Sequence, residues 1–159
     1  ESGSGFEPVT VRQFTVFLEN RVGRLTLLVR AVEEATGICG MSIEESADSA
    51  LVRVICANSD AGRDELSSHS FSFGEVEVLI VALPRRKEPL MAICTVLLSA
   101  EINIHNAYPL LSCPGNMPAL VVYCDDSILA SQLLMRKGYR LIGESDLRDT
   151  GNSNPGNGN

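Results

Sequence analysis

The apolar positions of this chain form a pattern that occurs twice. Leu25, Leu28, Val29 and Val32 follow the i, i+3, i+4, i+7 spacing of one helix face. Shifted by 65 positions they become Leu90, Ile93, Cys94 and Leu97, and the same shift carries Leu18 onto Leu83, the last apolar residue before each helix. Further on, Ala50-Leu51-Val52 recurs as Ala119-Leu120-Val121. That offset is 69, so the second copy's hairpin is longer by about four residues, and the surplus falls at Cys113-Pro114-Gly115-Asn116, which is turn chemistry.

Each copy reads strand, helix, strand, strand, helix, strand. Phe14, Val16 and Leu18 alternate with more polar neighbours as a half-buried strand does. A helix follows over about 24–36, with Gly37 suited to end it. Strands are predicted over 38–46 and 49–57, joined at Ala47-Asp48. A two-residue turn there sets Met41 opposite Val54 and Ile43 opposite Val52, apolar against apolar. The same register sets Cys39 opposite Cys56 on the core face, adjacent and reduced. Asn58, Ser59 or Asp60 caps a weaker helix to about His69, and 75–82 returns as a strand. In the second copy Asp125 or Asp126 opens a helix that points Leu129, Leu133 and Leu134 inward, and Lys137-Gly138 closes it.

This order predicts an α+β protein of two ferredoxin-like βαββαβ units in tandem, with antiparallel sheets and helices on one face. Residues 1–10 read as a flexible N-terminal segment, 11–76 as the first unit, 77–149 as the second and 150–159 as a tail outside the fold. The stretch from Phe71 to Leu83 must supply the last strand of one unit and the first strand of the other, so the two are expected to dock directly. Thr15, Phe17, Leu51 and Ile55 fall on the face away from the helices and leave it incompletely polar, which predicts at least a dimer.

Charge narrows the partners. With 13 Lys or Arg against 20 Asp or Glu the formal charge is −7, and the single dense basic run is Arg85-Arg86-Lys87. Nucleic acid is therefore not expected as a partner. Nor is a membrane: apolar runs such as 79–83 fall far short of the roughly 18 residues a span needs. Five cysteines without a Cys-x-x-Cys pair point to neither zinc nor a disulfide framework, and the polar first residues carry no signal-peptide pattern. A cytoplasmic location is expected.

The best candidate site is Leu18-Glu19-Asn20-Arg21-Val22-Gly23-Arg24-Leu25, where the first strand turns into the first helix. Asn20 precedes a glycine that lets the backbone approach a ligand, and a helix start offers unpaired N–H groups to a small carboxylate. The plainer reading is that Asn20 caps the helix and Gly23 eases the turn. His69 and His105 lie in no catalytic spacing, there is no nucleophile elbow or P-loop, and the carboxylate pairs Glu33-Glu34, Glu44-Glu45 and Asp125-Asp126 point apart along their elements. No enzyme activity, metal or cofactor is expected.

The Leu-Glu-Asn-Arg-Val-Gly-Arg-Leu segment resembles the loop of ACT domains: an acidic residue or Asn, a variable pair, Gly, one residue, then Leu. With the doubled unit order, Val11 to about Asp149 resembles a tandem ACT protein. The resemblance implies a non-catalytic regulatory module that binds a small ligand, an amino acid, at the first strand-to-helix loop, through Asn20, Arg21, Val22, Gly23, Arg24 and Leu25, and at the interface between the units, where His105 and Asn106 are the candidates. His105 and Asn106 either line the groove between units or are ordinary strand residues. It further implies a homodimer or a metabolic-enzyme partner. The alternatives are a regulatory subunit resembling the small subunit of acetolactate synthase and a ligand-free dimerisation module. The second loop, Pro84 to Leu90, departs from the pattern: Glu88 replaces the glycine and nothing matches Asn20. It reads as a solvated loop or a grip on an acidic partner surface.

Overall fold

The computed structural model describes residues 7–19 and 21–152. The order is β1 (Val11–Glu19), α1 (Arg24–Ala35), β2 (Ile38–Glu45), β3 (Ser49–Cys56), α2 (Ser59–Ser68), β4 (Ser72–Ala82), α3 (Pro89–Ser99), β5 (Ile104–Pro109), a 3-10 turn at Pro114–Asn116, β6 (Ala119–Cys124), α4 (Ser127–Arg136) and α5 (Glu144–Asn152). The strands form one antiparallel sheet in the order β2-β3-β1-β4-β6-β5. Two ferredoxin-like units are thereby fused through β4. Its first part, from Ser72 to Val78, pairs with β1, and its second, from Leu79 to Ala82, pairs with β6.

Alternation along β4 separates two faces. Leu79 and Val81 turn to the side covered by α3 and α4, where Ile93, Leu97, Ala130 and Leu134 bury them. On the same side of the first unit, Phe14, Val16, Val52 and Val54 pack under α1 and α2 through Leu28, Val32 and Leu66. Val78, Ile80 and Ala82 turn the other way, into a third core with Ile55, Tyr108, Leu110 and Val121.

That third core closes because the sheet curls until its outer strands meet. The N–H groups of Leu111 and Ser112, just past β5, donate to the carbonyl of Cys39 in β2 at 2.7 and 3.1 Å. A β-carbon at Gly40 would stand 3.1 Å from Leu110 Cδ1, so any larger residue there would have to push the Leu110 side chain aside. The end of the interior is covered by α5, whose Leu147 is fully buried. Glu144, in its first turn, accepts from the Arg12 N–H at 2.9 Å and from the buried Ser59 hydroxyl at 2.8 Å.

The hairpin register is the expected one, Met41 with Val54 and Ile43 with Val52. It breaks at Cys39. A bulge leaves Cys39 unpaired between Ile38 and Gly40, so its side chain joins the third core while Cys56 stays under α2. The two thiols lie on opposite faces, not side by side as the unbroken register required, and all five cysteines are free. The second hairpin repeats the irregularity at His105, between Ile104 and Asn106.

Other departures follow from where apolar surface is needed. The second unit's last strand shrinks to a single bridge, Leu141 with Val81, held by hydrogen bonds between Arg140 and Ala82 and between Ile142 and Ile80. Backbone helix then continues to Asn152, past the Asp149 boundary. In α4, Ala130, Ser131 and Leu134 are buried and Leu133 is half-buried against the same core, while Leu129 is exposed. In α3, Ile93 and Leu97 face the core while Leu90 and Cys94 face solvent. Of the residues expected to leave the opposite face apolar, Ile55 is covered within the chain, Thr15 and Leu51 are half-buried, and Phe17 is exposed.

Candidate functional site

At the end of β1 the chain turns through an Arg21 N–H to Glu19 carbonyl bond of 2.7 Å and enters α1 at Gly23. Gly23 is the residue capping α1, and its φ of 88° lies in the left-handed region, where glycine pays no steric cost. No atom stands within 4 Å of where its β-carbon would be, so the turn is open to solvent. Asn20 lies outside the described residues.

A cavity of about 330 Å³ opens beside this turn, lined by Phe17, Glu19, Arg21, Arg24, Ser70 and Ser72. Arg21 Nε is 2.9 Å from the Glu19 carboxylate. Arg24 lies 5.0 Å over the Phe71 ring, which fixes its guanidinium by cation–π attraction. Val22 stands wholly in solvent and Leu25 is more than one third exposed, so neither is held by the core. The cavity thus sets two cations, one carboxylate, two hydroxyls and an aromatic ring around an open glycine turn. Guanidinium and carboxylate side by side can take a ligand that carries both signs of charge, and the ring can take apolar surface.

His105 and Asn106 are not part of this cluster. They sit on β5, on the far side of β4, and neither lines the first-loop cavity. His105 Nε2 is 2.5 Å from Asp125 Oδ1, and its ring is tilted against Tyr123 at 5.2 Å between centroids. Asn106 Oδ1 is buried without a hydrogen-bond partner. The described residues contain no group of His, Cys, Asp and Glu side chains able to hold a metal ion, and no helix long and apolar enough to cross a membrane.

The duplicated unit, the shared strand and the glycine loop agree with the comparison to known families, in which the model for an ACT domain pair matches residues 9–150. The chain belongs to that family. Among solved structures, this ACT pair is similar to protein BT0572 from Bacteroides thetaiotaomicron, with a TM-score of 0.79 and 23% identity over 89% of this chain and 97% of that one. It is also similar to the ligand-free regulatory subunit of aspartate kinase from Thermus thermophilus, with a TM-score of 0.52 and 8% identity over 86% and 98%. At those identities the likeness is one of fold. Comparison with curated proteins finds no match.

Of the first-loop residues of the ACT pair, Arg21 and Arg24 line the cavity and Gly23 forms the turn beside it. Phe17, Ser70 and Ser72 stand outside the candidate stretch of the sequence, and Glu19 stands inside it without an assigned ligand role. Glu19 was within reach, since it precedes Asn20 in the motif; Ser70 and Ser72 come from the turn between α2 and β4, which only the β1–β4 pairing brings beside the loop.

Proposed function

We propose that the chain is a non-catalytic regulatory module that binds a free amino acid at the first strand-to-helix loop. The observation that carries this reading is the pairing of Glu19 with Arg21 and Arg24 in one cavity beside the open turn at Gly23. A zwitterion takes up both signs of charge there by replacing the Glu19–Arg21 contact with two contacts of its own. An exposed pair of this kind is worth only about 0–1 kcal/mol, so opening it costs little. Phe17, 55% exposed at the cavity edge, meets the ligand's side chain or a second copy of the chain.

Regulation then works by population shift. The ligand favours one arrangement of the two units, and a second copy in a homodimer or a metabolic-enzyme partner in the cytoplasm senses the change. The sharing of fold with a regulatory subunit of an amino-acid kinase supports this setting. The same features suit a subunit that works only with its catalytic partner, in the manner of the small subunit of acetolactate synthase.

Thermal shift against the twenty amino acids tests the reading. A ligand that binds the native state alone, at about 100 times its dissociation constant, adds about 2.7 kcal/mol of stability. One or a few amino acids are expected to raise the melting temperature. No response to any of them removes the amino-acid reading and leaves assembly as the function of the pair.

A further inference from the structure

Both lysines of the chain and two of its arginines line a pair of adjoining cavities at the second unit's strand-to-helix loop. The larger, about 360 Å³, has Arg86, Lys87, Glu88, Lys137 and Tyr139 in its wall. The smaller, about 220 Å³, shares Arg86, Lys137 and Tyr139 and adds Arg140.

These cavities are the repeat partners of the first-loop cavity. Glu19 corresponds to Pro84 and Arg21 to Arg86 at the offset of 65; Ser70 corresponds to Gly138 and Ser72 to Arg140 at an offset of 68. The backbones agree closely. Phe71 N–H donates to the Leu66 carbonyl at 3.1 Å, and Tyr139 N–H to that of Leu134 at 2.9 Å. Ser70 and Gly138 are both left-handed, as are Gly23 and Glu88 before the two helices. The second loop therefore keeps the shape of the first although it lost the glycine.

Charge is what differs. Arg21 has a carboxylate 2.9 Å away, whereas Arg86 has Pro84 in the corresponding place. Arg140 approaches Asp146 only to 3.9 Å. Arg86, Lys87 and Lys137 form no ion pair with the described residues. Among the residues lining the two cavities, four cations thus stand against one carboxylate, Glu88, with Asp146 reaching Arg140 from outside the lining, in a chain whose formal charge is −7. Like charges gathered in a concave site repel one another, and a bound anion relieves that repulsion. An amino acid with an uncharged side chain, neutral overall, would leave most of it in place.

We infer that this second loop binds a small molecule bearing a phosphoryl group, a ligand class distinct from that of the first loop. A phosphoryl dianion offers several oxygens at once to the Arg86 and Arg140 guanidinium forks and to the two ammonium groups. Tyr139 and Met91 flank it with apolar surface for the rest of the molecule. Cavities of about 360 and 220 Å³ match a small ligand in size.

Calorimetry with inorganic pyrophosphate, at constant ionic strength and with unmodified protein, is the direct test. Saturable binding at one site per chain is expected. Arg86→Gln and Lys137→Gln should each weaken it at least tenfold without moving the melting temperature of the free protein, while Arg21→Gln in the first loop should leave it unchanged. Absence of saturable heat overturns the inference. So does binding that survives the Arg86→Gln, Lys137→Gln double variant, or loss of binding in Arg21→Gln. Polyglutamate that binds more tightly than pyrophosphate and displaces it would replace the small anion with an acidic polypeptide, which also overturns it.

Discussion

The hydroxyl of Tyr108, on β5 of the second unit, donates to the side-chain oxygen of Gln13, on β1 of the first, at 2.7 Å inside the third core. Gln13 is 1% exposed and its amide donates in turn to the Thr15 hydroxyl at 3.3 Å. Removing one partner strands the other away from water, whereas removing both together costs far less. Tyr108→Phe is expected to lower unfolding stability by about 1–3 kcal/mol, and Gln13→Leu in that background should recover part of the loss. Urea denaturation of the two single variants and the double decides it; simple additivity would show that the pair is not coupled.

Gly62 sits in α2 where a β-carbon would meet Cys56 Sγ at 2.5 Å and Cys56 Cβ at 3.2 Å. Alanine normally gains up to about 1 kcal/mol over glycine inside a helix. Here overpacking should dominate, so Gly62→Ala is expected to destabilise by about 1–3 kcal/mol. Adding Cys56→Ala removes the sulfur, and thermal melts of the double variant should show less than the summed loss. A more stable Gly62→Ala protein would mean that α2 can move off β3.

The register of the β2–β3 hairpin was legible because Ala47-Asp48 gives a two-residue turn and only one alignment puts Met41 and Ile43 against Val54 and Val52. The bulge at Cys39 was not, since one unpaired residue leaves the apolar pattern of both strands intact while flipping everything beyond it. The dual use of β4 was legible in the single strand-like stretch between the copies. Helix α5 was hidden for a physical reason: among its described side chains Leu147 is the one in the core, and much of its hold comes from Glu144 accepting Arg12 and Ser59 across the chain. The glycine turn of the first site could be read locally. Its Ser70 and Ser72 wall could not, because it depends on strand pairing over long sequence distance, and Asn20 lies outside the described residues.

Burial pushes the Cys56 thiol up from 9.0 to about 12, with the neighbouring charges of Cys39 and Glu144 acting in the same direction. Burial also raises Cys39, Cys124 and Tyr108. A raised folded value means that the unfolded chain releases the proton first. The stability linked to Cys56 is therefore whole below pH 9 and is lost as pH rises toward about 12. The expected slope is about 1.4 kcal/mol per pH unit for each proton so held. Urea midpoints measured from pH 8 upward should fall beyond pH 9, and more gently in Cys56→Ala; a flat profile would contradict the burial of these thiols.

Glu101 follows α3 in the left-handed region with φ of 58°, an exposed position where the helix ends with Ile102 N–H on the Leu97 carbonyl. Gly37 holds that conformation after α1. Glycine relieves about 1–2 kcal/mol of steric cost there, less its own entropy in the unfolded chain. Glu101→Gly should raise the melting temperature, with a net gain of about 0.5–1 kcal/mol. A lower melting temperature would assign Glu101 a contact beyond its backbone shape.

Gly23→Asp tests the first loop. The left-handed turn has room for the side chain and aspartate tolerates that conformation, so the protein should fold. The added carboxylate faces the one the ligand brings. Affinity for the amino acid found by thermal shift should fall at least tenfold, about 1.4 kcal/mol, while Lys87→Asp leaves it unchanged. Calorimetry giving the opposite pattern would move the amino-acid site to the second loop.

Since β4 runs unbroken from its pairing with β1 at Val78 to its pairing with β6 at Leu79, the two halves have no hinge between them. A hinge stores its motion in a few loop dihedrals; a continuous strand admits only torsion about its own axis. A change in one half can therefore reach the other as a change in the twist of that strand, alongside the contacts of the third core, and α1 with α2 and α3 with α4 ride on the two ends of the same strand.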